Sequence, residues 1–154
     1  VQFSAENNFI HYEISNFGKE GFFSNHNTAY WKNQHYMGIG PSAHSFNETS
    51  RQWNISSNKQ YVEKVNTNDC YFEAEQLSNT QQYNEYIFTG LRTMWGVKDK
   101  KIKSCFGKDA QTHFLIEVEK WLRKNYIEKK NGTYNLTKYG KVFADAIASD
   151  LFIV

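Results

Sequence analysis

Aromatic and β-branched residues alternate with polar ones over residues 9–15 (FIHYEIS), a period-two pattern that predicts a strand. Residues 16–27 are polar and glycine-containing, which predicts a loop delivering His26. Residues 36–46 (YMGIGPSAHSF) read as a second strand, interrupted by Gly40-Pro41, and residues 51–55 as its short partner across a turn at 47–50. Proline cannot donate to a ladder, so Pro41 belongs at an edge, bulge or strand end. Residues 58–66 suggest a short helix capped at Ser57 or Asn58, and the polar, aperiodic residues 67–79 a linker. Beyond that point the period changes to that of a helix. Tyr83, Ile87, Gly90, Leu91 and Met94 share one helical face. A helix over 99–106 is ended by Gly107, and Asp109 starts another whose stripe is Phe114, Leu115, Val118, Trp121 and Leu122. Asn131-Gly132 between short alternating runs predicts a tight hairpin, because a type I′ turn needs positive φ at both central residues. Thr137 caps a last helix with Tyr139, Phe143, Ala146 and Ile147 inward. The fold class is α+β: a small sheet over residues 1–75, then a winged-helix-like unit over residues 76–154.

Composition supports two folded parts. The chain has 154 residues, 40% hydrophobic and 17% aromatic, enough for a core and too much for disorder. Its net charge of +2 is unevenly spread: the first 79 residues carry five Lys/Arg against eight Asp/Glu, the rest thirteen against eight. No apolar run approaches the roughly 20 residues of a membrane helix, and no secretory leader is visible at the N-terminus. Two cysteines, Cys70 and Cys105, are too few and too distant for a disulfide framework or a metal clip, so a cytoplasmic setting is expected.

Candidate chemistry concentrates in residues 11–54. They hold four of the five histidines, the one proline and two of the four tryptophans. Gly38 and Gly40 beside Pro41 signal close backbone approach or a bulge, with Ser42, His44 and Ser45 alongside. His26 is followed by Tyr30 and Trp31. An isolated histidine is ordinarily a solvated or structurally satisfied group; an aromatic wall beside it is also what an axial haem ligand requires. Arg51 suits a structural ion pair or a substrate carboxylate.

The runs HYEISNFG (11–18), HNTAYW (26–31) and GIGPSAHSF (38–46), in that order, resemble the C-terminal part of the HemN/HemW family, oxygen-independent coproporphyrinogen III oxidases and their relatives. HNxxYW resembles the HemW-type haem chaperones, whereas the family's oxidases carry an arginine-and-glutamine stretch there. Where the family usually has Ala-x-Pro-Gly after SNF, this chain has Gly18-Lys19-Glu20-Gly21. The resemblance implies that residues 1–75 end a radical SAM barrel domain and residues 76–154 form the accessory domain. It implies haem binding with His26 as iron ligand and Tyr30 and Trp31 beside it. It also implies an S-adenosylmethionine cavity lined near Ser15, Asn16, Gly38, Gly40, Ser42 and His44, partners in the remainder of the barrel, and a haem-accepting protein. The alternative activity is oxidative decarboxylation of coproporphyrinogen III in porphyrin biosynthesis.

Radical SAM chemistry needs three cysteines spaced CxxxCxxC to hold a [4Fe–4S] cluster, and this chain has none so spaced. Cluster and S-adenosylmethionine are therefore expected in a longer parent oxidoreductase, and no catalytic residue is expected here. A nucleic-acid-binding winged helix is the other alternative. Residues 96–130 carry ten Lys/Arg, and Gln111, Thr112 and His113 could meet bases. Glu117 and Glu119 on the same helix repel phosphates, which makes nucleic acid the weaker reading.

Overall fold

The computed structural model describes residue 1, the backbone of residue 2, and residues 3–154. It contains helices and antiparallel sheets in two compact units, one of residues 1–32 with 79–154 and one of residues 33–78. The chain crosses between these contact units at 32/33 and at 78/79. The first 32 residues join the C-terminal residues because the Ile14 N–H donates to the Arg92 carbonyl (3.0 Å) and the Met94 N–H to the Tyr12 carbonyl (3.0 Å).

In the larger unit, α1 (Gln2–Glu6) leads into β1 (Ile10–Glu13), which pairs with β2 (Asn16–Gly18) in a tight hairpin. The expected loop over 16–27 is thus part strand, and its end is helix: α2 spans Asn25–Trp31. The Ser24 side chain accepts from the Asn27 N–H (3.3 Å) and so nucleates that helix, a cap the glycine-rich context hid.

The core of this unit forms where the helical period was clearest. On α4 (Asn79–Leu91), Tyr83, Ile87, Gly90 and Leu91 are buried; Met94 lies past the helix end and is 45% exposed. The helix α5 (Asp99–Arg123) is broken at Gly107, whose φ of 93° is open to glycine, and it buries Ile102, Ala110, Phe114 and Val118. Ile102, Phe114 and Val118 each contribute about 1.5–3 kcal/mol on burial. The expected stripe is narrower than drawn: Leu115 is exposed, and Trp121 and Leu122 are partly buried. Three strands back these helices in the order β6 (Val97–Lys98), β8 (Thr133–Leu136), β7 (Ile127–Lys130). Asn131 and Gly132 turn the β7–β8 hairpin with φ of 52° and 76°, as the dipeptide predicts.

The last helix starts differently from expectation. The Gly140 N–H donates to Thr137 Oγ1 (3.1 Å), opening a 3-10 turn over Gly140–Phe143 before α6 (Ala144–Asp150). That turn rotates the helix face. Gly140, Ala144, Ile147 and Ala148 point inward, while Tyr139, Phe143 and Ala146 are exposed.

The smaller unit is a sheet of order β3 (His44–Phe46), β4 (Ser50–Asn54), β5 (Phe72–Gln76), with α3 (Asn58–Thr67) between β4 and β5. Asn47 Oδ1 accepts from the N–H groups of Thr49 and Ser50, fixing the β3–β4 turn. The second strand is shorter than expected: residues 37–43 are irregular, and Tyr36 bridges Phe46 alone. The positive φ of Gly40 (103°) and Ser42 (57°) prevents an extended course there. Ser57 caps α3 through the Gln60 N–H. The expected linker holds a real strand, β5, paired along its length with β4.

Candidate functional site

His26 and Tyr30 lie four residues apart on α2, hence on one face, and both are exposed. Among the described residues His26 has no hydrogen bond or ion pair, so its ring nitrogens are available to an external group. Tyr30 meets the neighbouring Trp31 edge-on, with ring centroids 5.3 Å apart. The helix itself buries no residue completely. It is held by side contacts. Asn27 Nδ2 donates to the Tyr12 hydroxyl (3.2 Å), Lys32 Nζ stands 4.4 Å from the Trp95 ring centre, and the Arg92 guanidinium stands 5.6 Å from that of Trp31.

Behind α2 lies a charged cluster for which the sequence offers no local signal. Glu13 is 2% exposed. Its Oε2 accepts from the Ser15 N–H (3.1 Å) and from Asn16 Nδ2 (2.6 Å), and its Oε1 faces Arg92 Nη2 at 3.8 Å. Arg92 Nη1 reaches Asp145 Oδ1 at 2.8 Å. His11, stacked on Phe17, has its Nε2 2.8 Å from the Ile14 carbonyl and its Nδ1 2.9 Å from Lys141 Nζ. This pattern assigns the proton to Nε2. Burial lowers the pKa of His11, with the Lys141 ammonium adding to that effect against the Ile14 bond. Burial also lowers the pKa of Lys141, partly offset by the charge of Glu13.

Ser15 and Asn16, expected at a cofactor cavity, are thus occupied in holding Glu13. Gly38 and Gly40 are also engaged: their N–H groups donate to Ser45 Oγ (3.0 Å) and to the Tyr61 hydroxyl (3.2 Å), and their carbonyls accept from Asn54 Nδ2. Ser15 holds Glu13 through its backbone N–H and Asn16 through its Nδ2, while Gly38 and Gly40 spend their N–H and carbonyl groups within their own unit. Ser42 and His44 do line a cavity of about 440 Å³ together with Trp53, Ser57, Gln60 and Glu73, where Trp53 Nε1 donates to Glu73 Oε2 (3.2 Å). The structure therefore places Ser15 and Asn16 on the β1–β2 hairpin and the other four in the β3–β5 unit. Arg51 pairs with Glu75 (3.9 Å) across β4 and β5.

Residues 111–113 also have internal roles. Gln111 Nε2 donates to the Asp99 carbonyl, Thr112 Oγ1 to the Lys108 carbonyl, and His113 Nε2 sits 3.1 Å from the Phe152 carbonyl. Among the described residues no helix is long and apolar enough to cross a membrane.

A helix-backed antiparallel sheet carrying an exposed imidazole and phenol on a short capped helix defines a mixed α+β module with a surface aromatic–histidine face. Residues 77–143 match the family model described as HemN C-terminal domain. The chain is 39% identical over 136 residues to the Heme chaperone HemW of Lactococcus lactis and 30% identical over 137 residues to that of Bacillus subtilis. Each match covers 88% of this chain and 36% of the relative, so the chain spans about a third of their length. The solved Coproporphyrinogen III oxidase (HemN) from Escherichia coli, described as a radical SAM enzyme, superposes with a TM-score of 0.71. That match covers 98% of this chain and 38% of the other at 12% identity, and it speaks to the fold alone. The chain is thus similar to the HemN/HemW family over most of its length, and its residues 77–143 to that family's C-terminal domain.

Proposed function

We propose that the chain is the C-terminal part of a HemW-like haem chaperone, in which it presents haem for transfer to a haem-accepting protein. The observation that carries this reading is the exposed, unpartnered His26 one turn before Tyr30 on α2. The names of its relatives, Heme chaperone HemW, support it. Haem fits the residues present: His26 would supply the axial imidazole and Tyr30 the aromatic ring beside it, with Trp31 backing Tyr30 edge-on. Bound haem supplies an iron whose ligation can be exchanged. The protein's part is to hold the imidazole in place and to leave the cargo reachable.

In this reading residues 1–75 complete a radical SAM barrel and residues 76–154 form a winged-helix-like domain. The [4Fe–4S] cluster and S-adenosylmethionine belong to the rest of that longer protein, because Cys70 and Cys105 cannot supply three thiolates. Ser15, Asn16, Gly38, Gly40, Ser42 and His44 are the chain's candidates for contact with S-adenosylmethionine, and the setting is cytoplasmic.

Haem titration of the intact protein tests the proposal. His26→Ala is expected to change the Soret band and weaken binding, whereas His35→Ala and His44→Ala leave both near wild type. His26→Ala binding with unchanged spectrum and affinity, while a control loses both, would place the ligand elsewhere.

A further inference from the structure

We infer that Arg92 is a positioning residue for the helix that carries His26, a proposal that rests on the haem reading above. The helix α2 has seven residues and none fully buried, so neither length nor hydrophobic packing fixes it. Hydrogen bonds on its inner side do not fix it fully either. The buried atoms Thr28 Oγ1 and Trp31 Nε1 have no partner. What meets Trp31 is the guanidinium of Arg92, 5.6 Å from the ring centre, with the Phe88 ring at 5.2 Å from the same cation.

The guanidinium is itself held from two sides. Asp145 Oδ1 takes Nη1 at 2.8 Å, and the buried Glu13 faces Nη2 at 3.8 Å. Its Nε is buried and unpartnered. An unmet buried donor is costly, so hydrogen bonding alone does not account for the pose of Arg92. The cation–π contacts with Trp31 and Phe88 supply what is missing. Because Tyr30 packs edge-on against Trp31, the constraint runs from Arg92 through the indole to the phenol, one helical turn from the imidazole. The contact joins two parts of the sequence, α2 and the end of α4, that are some sixty residues apart.

A competing account is that Arg92 only neutralises Glu13. Arg92→Lys separates the two, because it keeps a positive charge near Glu13 and removes the broad guanidinium set over Trp31. The intact protein would be studied as wild type, Arg92→Lys, Arg92→Met, His26→Ala and the Arg92→Lys/His26→Ala double variant. Amide hydrogen exchange and haem titration are the readouts.

In Arg92→Lys, amides of residues 25–32 are expected to exchange at least about fivefold faster while residues 108–123 keep wild-type protection. Haem affinity is expected to fall about tenfold, with a weakened Soret signature of imidazole ligation. The double variant should bind no worse than His26→Ala alone, since both changes act through one ligand.

Wild-type exchange at 25–32 in Arg92→Lys would overturn the inference. So would equal acceleration throughout 79–154, or faster exchange at 25–32 with wild-type haem affinity while His26→Ala loses it. If Arg92→Met does not fold, Arg92→Lys decides alone. If His26→Ala binds haem as wild type does, the haem reading fails by itself, and the hold of Arg92 on α2 is judged by exchange.

Discussion

Replacing Glu13 by glutamine preserves the side chain's shape and removes its charge, and it should be among the most damaging polar substitutions in the chain. The carboxylate is 2% exposed, and Oε2 takes two donors, the Ser15 N–H at 3.1 Å and Asn16 Nδ2 at 2.6 Å, while Oε1 faces Arg92. Glutamine has one oxygen for these two sides. With the oxygen toward Ser15 and Asn16, the new amide N–H groups confront the Arg92 cation. Turned round, they confront the Ser15 and Asn16 donors. Losing charge assistance on two hydrogen bonds costs about 1 kcal/mol each, and one buried donor left without an acceptor costs about 1 kcal/mol more. The sum is about 3 kcal/mol, which for a unit of this size lowers the melting midpoint by about 12 °C. Scanning calorimetry on wild type, Glu13→Gln and the exposed control Glu63→Gln reads it out. A midpoint shift under about 3 °C in Glu13→Gln would refute the reasoning, since surface substitutions alone produce changes of that size.

Two further outcomes follow from local geometry. Asn131→Pro should destabilise the larger unit by about 1–3 kcal/mol in urea unfolding, because proline cannot adopt the φ of 52° at the first turn position. An unchanged midpoint would show that the turn tolerates another geometry. For His11, whose pKa burial lowers below its ordinary value of 6.5, the folded state disfavours the proton that the unfolded chain accepts. Its contribution to stability is therefore complete above pH 6.5 and is lost as the pH falls from there towards the lowered folded value. His11→Gln should flatten that part of the stability–pH curve, and an unaltered slope would mean another group produces it.

Elements legible in the sequence are those decided by neighbouring residues. The Asn131-Gly132 turn, the Ser57 cap and the break at Gly107 each depend on one or two residues whose backbone preferences nothing distant overrides. The strand β5 was illegible because FEAEQ reads as solvated linker. It is mostly exposed and is a strand only through its pairing with β4. The helix α2 was hidden for a related reason: with no buried residue it has no apolar stripe, and its signals are a serine cap and ring contacts. The aromatic–histidine run was visible at once, but its support was not. Glu13 and Arg92 are 79 positions apart, and nothing near either residue announces the other.

On the proposed reading, the exposure of α2 bears on what kind of haem protein this is. A protein that keeps haem as its own cofactor surrounds the macrocycle with apolar walls, which exclude water and oppose release. Here the imidazole projects from a surface helix, and the one aromatic ring sharing its face, Tyr30, is 50% exposed. Such a face can ligate iron on one side of the porphyrin and leaves the opposite side uncovered by this helix. An acceptor protein could bring its own ligand to that uncovered side before His26 lets go. Affinity must then come from holding the imidazole still rather than from enclosing the porphyrin, and a short helix without buried residues cannot do that unaided. The carboxylates of Glu13 and Asp145 around Arg92 sit where such a constraint is needed, on the inner side of the helix, and leave the outer side free for exchange.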